Sequence, residues 1–284
     1  MNLYEPASIK DIRDRYGFKF SKSLGQNFLI DKNIIDKIID GAGIGADDTV
    51  IEIGPGIGVI TAEAAKRAKK VIAVEIDRSL IPILEETLSE FDNVTVLNRD
   101  VLKVDISELT AGECPQNIKI MGNLPYYITT PIIMKLLEEQ VKADSITVMM
   151  QKEVADRIKA SPGSKAYGAL SVTVQYYCSV EKVADVPKGV FIPQPKVDST
   201  VLKLNLRNEK PVKPADEKVF FNCVKAAFSQ RRKTLLNSMQ TLQGVSKELI
   251  REVLEASGIQ TNRRAETLTI EEFAKIANEV DKRL

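Results

Sequence analysis

Four short stretches carry residues whose types and spacing could hold a small molecule or act on one. Val50-Ile51-Glu52-Ile53-Gly54-Pro55-Gly56-Ile57-Gly58 is an apolar run that breaks into glycines at alternate positions. Glycine allows positive φ and close approach to a ligand, and a helix beginning beyond it favours carboxylate or phosphate oxygens. Gly54 and Gly56 therefore point to a nucleotide-containing cofactor, the plainer alternative being tight packing of a strand on a helix. The third glycine of the dinucleotide fingerprint would fall on Val59, which argues against a pyrophosphate. Glu75 lies 75 − 54 = 21 residues beyond Gly54, where an acid at a strand end accepts both hydroxyls of a ribose. Asp100 again follows an apolar run and can accept the exocyclic amine of an adenine, with Ile76 and Val101 on the ring faces. Taken singly, either acid serves equally well as a helix cap. In Asn123-Leu124-Pro125-Tyr126 the proline keeps Leu124 out of helix, so its carbonyl and the Asn123 amide oxygen can converge on a planar NH2 group. Tyr126 offers a flat face to a base, although an Asn-Pro turn topped by packed aromatics has the same composition.

These groups must be positioned by elements, and the chain alternates short apolar runs with amphipathic stretches, the rhythm of a parallel sheet covered by helices. Strands are expected at 49–54, 71–75, 94–98, 118–122, 146–150 and 199–206. Helices are expected at 32–41, 60–68, 80–90, 130–140 and 152–160. The stretch 171–177 fits either a strand or one helical face. The expected fold is α/β: a Rossmann-like sheet with helices on both faces, followed by a small all-helical domain. Residues 1–206 form the first domain, with 1–30 as an N-terminal segment. The Pro-containing 207–214 reads as a linker, and 215–284 as helices over 217–239, 247–257 and 270–283. In such a sheet the carboxyl ends of successive strands line one crevice, which would bring glycine, Glu75, Asp100 and Asn123 together.

The 284 residues contain 40 Lys+Arg, 39 Asp+Glu, three Cys and no His or Trp. Without histidine there is no Ser-His-Asp triad, no HExxH zinc site and no imidazole acid–base couple, so the chemistry must rest on positioning. The three cysteines are far apart, so no metal knuckle or disulfide framework is expected and a reducing compartment suits the chain. No apolar run approaches the roughly 18 residues of a membrane span and the N-terminus lacks a signal peptide's apolar region. A cytoplasmic protein is the expectation. Charge is uneven: residues 1–30 carry five bases and three acids, 31–204 carry 20 and 25, and 205–284 carry 15 and 11. Basic ends permit a polyanionic partner, and an offset this small is also common on solvated surface.

The glycine stretch with Glu75, Asp100 and Asn123-Leu124-Pro125-Tyr126 resembles the S-adenosylmethionine-dependent methyltransferases that act on exocyclic amines. Ser23-Leu24-Gly25-Gln26-Asn27-Phe28-Leu29, Val190-Phe191-Ile192-Pro193-Gln194-Pro195-Lys196-Val197-Asp198-Ser199 and Lys225-Ala226-Ala227-Phe228-Ser229-Gln230-Arg231-Arg232-Lys233-Thr234-Leu235 narrow the resemblance. Together they are similar to the ribosomal RNA adenine N6-dimethyltransferases, in particular the bacterial members that modify two adjacent adenosines near the 3′ end of 16S ribosomal RNA. The resemblance implies that the Rossmann-like sheet is that of a class I methyltransferase, with S-adenosylmethionine as cofactor and a helix at 171–177. It further implies that Asn27 and Leu29 cover the cofactor, that Gly54 approaches its methionine part, and that Asn123 lies between cofactor and target base. Tyr126 and Phe191 would sandwich that base. Contacts to RNA phosphates would come from Lys19, Lys22, Arg231, Arg232 and Lys233, the last three placed on the first long C-terminal helix. The implied partner is 16S ribosomal RNA in a small subunit or its precursor, with no membrane and no obligate protein partner. Two other readings share these motifs: a large-subunit adenine methyltransferase conferring antibiotic resistance, and a non-catalytic assembly or transcription factor. A nicotinamide oxidoreductase is disfavoured by the missing glycine and by the lack of His or Tyr-x-x-x-Lys.

Overall fold

The structure, a computed structural model, describes residues 2–21 and 24–283. The strands are β1 (Phe28–Leu29), β2 (Thr49–Ile53), β3 (Lys70–Glu75), β4 (Val94–Asn98), β5 (Ile118–Asn123), β6 (Ser145–Gln151), β7 (Cys178–Val186), β8 (Phe191–Ile192) and β9 (Ser199–Leu206). Seven of them form one mixed sheet in the order β4-β3-β2-β5-β6-β9-β7. From β4 through β6 all neighbours are parallel, and β9 runs antiparallel to β6. Every residue of β2 is buried, as is every residue of β6 except Gln151, so these central strands are mostly apolar without a polar face.

The order reverses at β2: the chain builds outward through β3 and β4, then returns to β5 on the other side. Such a reversal opens a crevice beyond the carboxyl ends of the two strands flanking it. Two glycines make the crevice possible. Gly56 has φ of 63°, and a Cβ there would lie 2.9 Å from Cε1 of Phe28. At Gly122, in β5, a Cβ would lie 2.5 Å from the backbone oxygen of Ile53. The ends of β2 and β5 approach so closely that only glycine fits between them.

Two compact units emerge: residues 1–155 with 179–206, and residues 156–178 with 207–284. The expected contiguous division at the proline-containing stretch is thus corrected, because residues 156–178 pack with the C-terminal helices. The physical reason is aromatic. The helix Ala169–Tyr177 presents Tyr176, whose ring lies 5.1 Å from that of Phe220, and Tyr177, stacked on Phe221 at 5.6 Å. The 171–177 ambiguity is resolved as helix, with all but Gln175 buried, so there is no amphipathic contrast to read. In the second unit the helices Glu217–Ala227, Lys247–Ala256 and Ile270–Asp281 begin at Asp216, Ser246 and Thr269, whose side chains accept from first-turn amides. The single helix expected over 217–239 is also corrected. It ends at Ala227, residues 228–234 turn, and a short helix follows at Leu235–Ser238. Strand β7 has no counterpart among the expected elements, because it is an exposed edge carrying Glu181, Lys182 and Asp185 among its apolar residues. No helix of the described residues is long and apolar enough to cross a membrane.

Candidate active site

The first unit carries a crevice at the sheet reversal, with about 1060 Å³ of empty space including its open mouth. Its floor comes from the end of β2 and the glycine turn, where Gly54 (φ of 71°) donates its amide to the Val74 carbonyl at 3.0 Å. Glu75, at the end of β3, is only 5 % exposed. One of its oxygens accepts from the Gly56 amide at 3.3 Å and the other from the Asp77 amide at 2.8 Å. Burial raises its pKa, and those two amides pull it back down. With the Ile76 amide adding a weaker contact, the carboxylate still has acceptor capacity left.

Asp100 follows β4 and serves as a cap at the edge of the crevice. Its Oδ1 caps the Leu102 amide at 3.0 Å, while its Oδ2 accepts from no described residue and the side chain lines the crevice. Ile76, half exposed, and the buried Val101 form apolar walls beside it. Asn27 and Leu29 enter from the N-terminal segment. The Asn123 amide nitrogen donates to the Asn27 carbonyl at 2.9 Å, which fixes the carboxamide and leaves Oδ1 with no donor among the described residues. The Leu124 carbonyl is likewise without a backbone partner, since the turn that follows is closed by the Pro125 carbonyl. Two acceptors therefore line the crevice with no donor among the described residues.

Tyr126 lines the same mouth, and its hydroxyl, to which the sequence assigns no part, is held 2.8 Å from the Ser199 hydroxyl at the start of β9. Burial raises its pKa, so the phenol stays neutral. Phe191 is not brought to the crevice. It is 3 % exposed within the core, and its backbone pairs with Leu29 between β8 and β1. A stacking wall there would require the Phe191 loop to open. Tyr127, 59 % exposed, lines the crevice in addition to the expected residues, and its signal is its place directly after the Asn-Leu-Pro-Tyr tetrapeptide.

Glu52 is a second residue that sequence reasoning passes over. It sits in β2 at 1 % exposure and lines the crevice from below, accepting a hydrogen bond from the Thr61 hydroxyl. Burial, with a smaller push from Glu75, raises its pKa from the ordinary 4.5 to about 7. Among the described residues no cluster of His, Cys, Asp and Glu could hold a metal ion.

Of the basic residues, Lys19 is exposed and Lys22 lies outside the described residues. Arg231, Arg232 and Lys233 are exposed in the 228–234 turn, not on a helix. Arg231 is committed within its own unit, donating to the Lys165 carbonyl at 2.7 Å, whereas the side chains of Arg232 and Lys233 have no described partner.

The sequence profile of the ribosomal RNA adenine dimethylases matches residues 17–282. A protein of Alkaliphilus oremlandii named ribosomal RNA small subunit methyltransferase A is 56% identical over 284 residues, covering 99% of both chains. One of the same name from Clostridioides difficile is 57% identical over 95% of this chain and 93% of that one. Among solved structures, a dimethyladenosine transferase of Plasmodium falciparum superposes with a TM-score of 0.76 at 29% identity, covering 90% of this chain and 98% of that one. The 23S rRNA methyltransferase ErmE superposes at 0.67 with 28% identity, over 89% and 99%.

Proposed function

Because the chain belongs to the ribosomal RNA adenine dimethylase family, we propose a division of labour among the residues of its crevice. The chain is an S-adenosylmethionine-dependent methyltransferase that dimethylates adenines of 16S ribosomal RNA. The cofactor, when bound, supplies an electrophilic methyl on a sulfonium sulfur. The residues present fit such a group. Glu75 has lone pairs left for ribose hydroxyls, Asp100 an unused Oδ2 for an adenine amine, and Ile76 with Val101 the apolar walls for that ring. Gly54 leaves space for the methionine part, the Gly56 turn borders it, and Asn27 and Leu29 line it from the N-terminal segment.

The observation that carries the acceptor assignment is the pair of unpartnered oxygens, Asn123 Oδ1 and the Leu124 carbonyl. An adenine N6 lone pair is delocalised into its ring. Two hydrogen bonds accepted from N6–H favour a pyramidal nitrogen whose lone pair is free to attack. Tyr126 would stack on that base, its ring set by the bond to Ser199. The amine attacks while neutral, and its excess proton leaves to water, so no histidine is needed.

The target we assign is two adjacent adenosines near the 3′ end of 16S RNA, in a small subunit or its precursor in the cytoplasm. Identity of 56% along the whole of a small-subunit enzyme, against 28% with the 23S enzyme, favours this target over the large subunit. Small subunits and their precursors from cells lacking the gene should gain N6,N6-dimethyladenosine in the 3′ fragment when given the protein and S-adenosylmethionine, as read by mass spectrometry of nuclease digests. Methylation confined to 23S RNA would overturn the assignment.

Arg232 and Lys233 are assigned phosphate contacts, with Lys19 a further contributor from the N-terminal segment. Neutralising both Arg232 and Lys233 should reduce the slope of log K against log salt by about 0.7–0.9 for each phosphate no longer neutralised, with cofactor affinity intact. An unchanged slope would make them ordinary solvated surface.

A further inference from the structure

Gln26 stands in the N-terminal segment immediately before Asn27, and its carboxamide is fully committed. Its Oε1 accepts from the Ser21 amide at 2.8 Å, and its Nε2 donates to Oδ2 of Asp77 at 2.6 Å, across 51 residues of sequence. Asp77 is committed in turn. Its Oδ1 accepts from the Ser79 amide at 3.0 Å and from the Ser79 hydroxyl at 2.6 Å, and its own amide donates to Glu75. One residue beyond Gln26, the Asn27 carbonyl takes the Asn123 amide nitrogen at 2.9 Å. A continuous set of contacts thus runs from the expected ribose carboxylate to the expected acceptor amide.

We propose that Gln26 is a positioning residue: its latch onto Asp77 sets the Asn27 carbonyl, which holds the Asn123 carboxamide with its oxygen toward the target amine. This rests on the acceptor-site reading above. The same carboxamide could otherwise turn over, presenting NH2 to an amine that itself needs acceptors, and its orientation is set by the one carbonyl it donates to. The segment is pinned downstream by the pairing of β1 with β8 and farther upstream by Arg15 and Tyr16 on Glu86 and by the buried Phe18, so the Asp77 contact is the side-chain fastening next to Asn27 itself.

Because each atom at the latch has a single assigned role, reversing the donor and acceptor offers a sharp test. Gln26→Glu places two carboxylates face to face. Asp77→Asn presents one NH2 to another, since its oxygen must stay on Ser79. The double variant Q26E/D77N restores every bond: one oxygen of the carboxylate introduced at position 26 accepts from Ser21, and the other accepts from the amide nitrogen introduced at position 77. Single-turnover methylation of unmethylated small subunits should be measured at saturating S-adenosylmethionine, with cofactor Kd from calorimetry. Each single variant should be at least tenfold slower at saturation, and the double within about threefold of the unaltered enzyme. Single variants within threefold, a double as slow as the slower single, or a loss confined to cofactor Kd would each overturn the latch. Asn123→Ala measured alongside separates the two ideas. If it is fast, the acceptor reading fails; if it is slow while Q26E is fast, only the latch fails.

Discussion

Asn123→Ala is expected to lower the single-turnover rate of adenine methylation by roughly 10²–10³-fold while RNA affinity changes little. The reason lies in when the oxygen acts. A neutral adenine amine gains little from an acceptor in the ground state, but as its nitrogen pyramidalises and positive charge grows, N6–H becomes a better donor and the bond to Asn123 Oδ1 strengthens. An interaction that strengthens only on the way to the transition state appears in the rate constant and not in binding. Asn123→Asp separates the acceptor from the donor, because it keeps an oxygen for the amine but loses the nitrogen that donates to the Asn27 carbonyl. It should lose less than alanine does. A rate within about threefold of the unaltered enzyme for Asn123→Ala would make the Asn-Leu-Pro-Tyr segment a structural turn and nothing more.

The second large effect concerns stability and pH. Folding raises Glu52 from 4.5 to about 7 because burial disfavours its charged form, with a smaller push from Glu75, against the hydrogen bond from Thr61. Between those values the folded protein holds the Glu52 proton more tightly than the unfolded chain does. Its contribution is therefore full below pH 4.5 and is lost as pH rises toward 7. A difference of 7 − 4.5 amounts to about 3 kcal/mol. Glu52→Gln keeps the shape and still accepts from Thr61, yet carries no proton to lose. Urea unfolding at pH 4.5 and pH 8 should show the variant gaining about 3 kcal/mol on the unaltered protein across that interval. Parallel pH profiles for the two would mean that Glu52 is ionised in the fold.

The crevice is legible because its residues sit at the ends of buried parallel strands, and such strands announce themselves as unbroken apolar runs. Gly54, Glu75 and Asn123 stand at the ends of such strands and Asp100 just past the less buried β4, so an argument about strand order alone brings them together. What escapes has a common cause. The two-residue strands β1 and β8 carry no periodicity, and the Gln26 contact with Asp77 spans 51 residues with no local pattern. Phe191 has a partner, Leu29, that only the pairing of β1 with β8 reveals. The basic cluster is misplaced for a different reason. No glycine or proline marks the end of the helix at Ala227, so apolar spacing carries the expected helix through a turn.

The helical unit is made of two separate pieces of chain, and this bears on how the protein can be dissected. The chain passes from one unit to the other three times, after Ala155, Cys178 and Leu206. A cut anywhere in 207–214 therefore severs the sequence without releasing an intact unit, since the helix Ala169–Tyr177 stays with the amino-terminal fragment. That fragment would expose Tyr176 and Tyr177, stripped of Phe220 and Phe221. During synthesis the same two tyrosines must wait for more than forty residues of chain before their partners exist, so the helical unit cannot close its aromatic packing until its second piece is made.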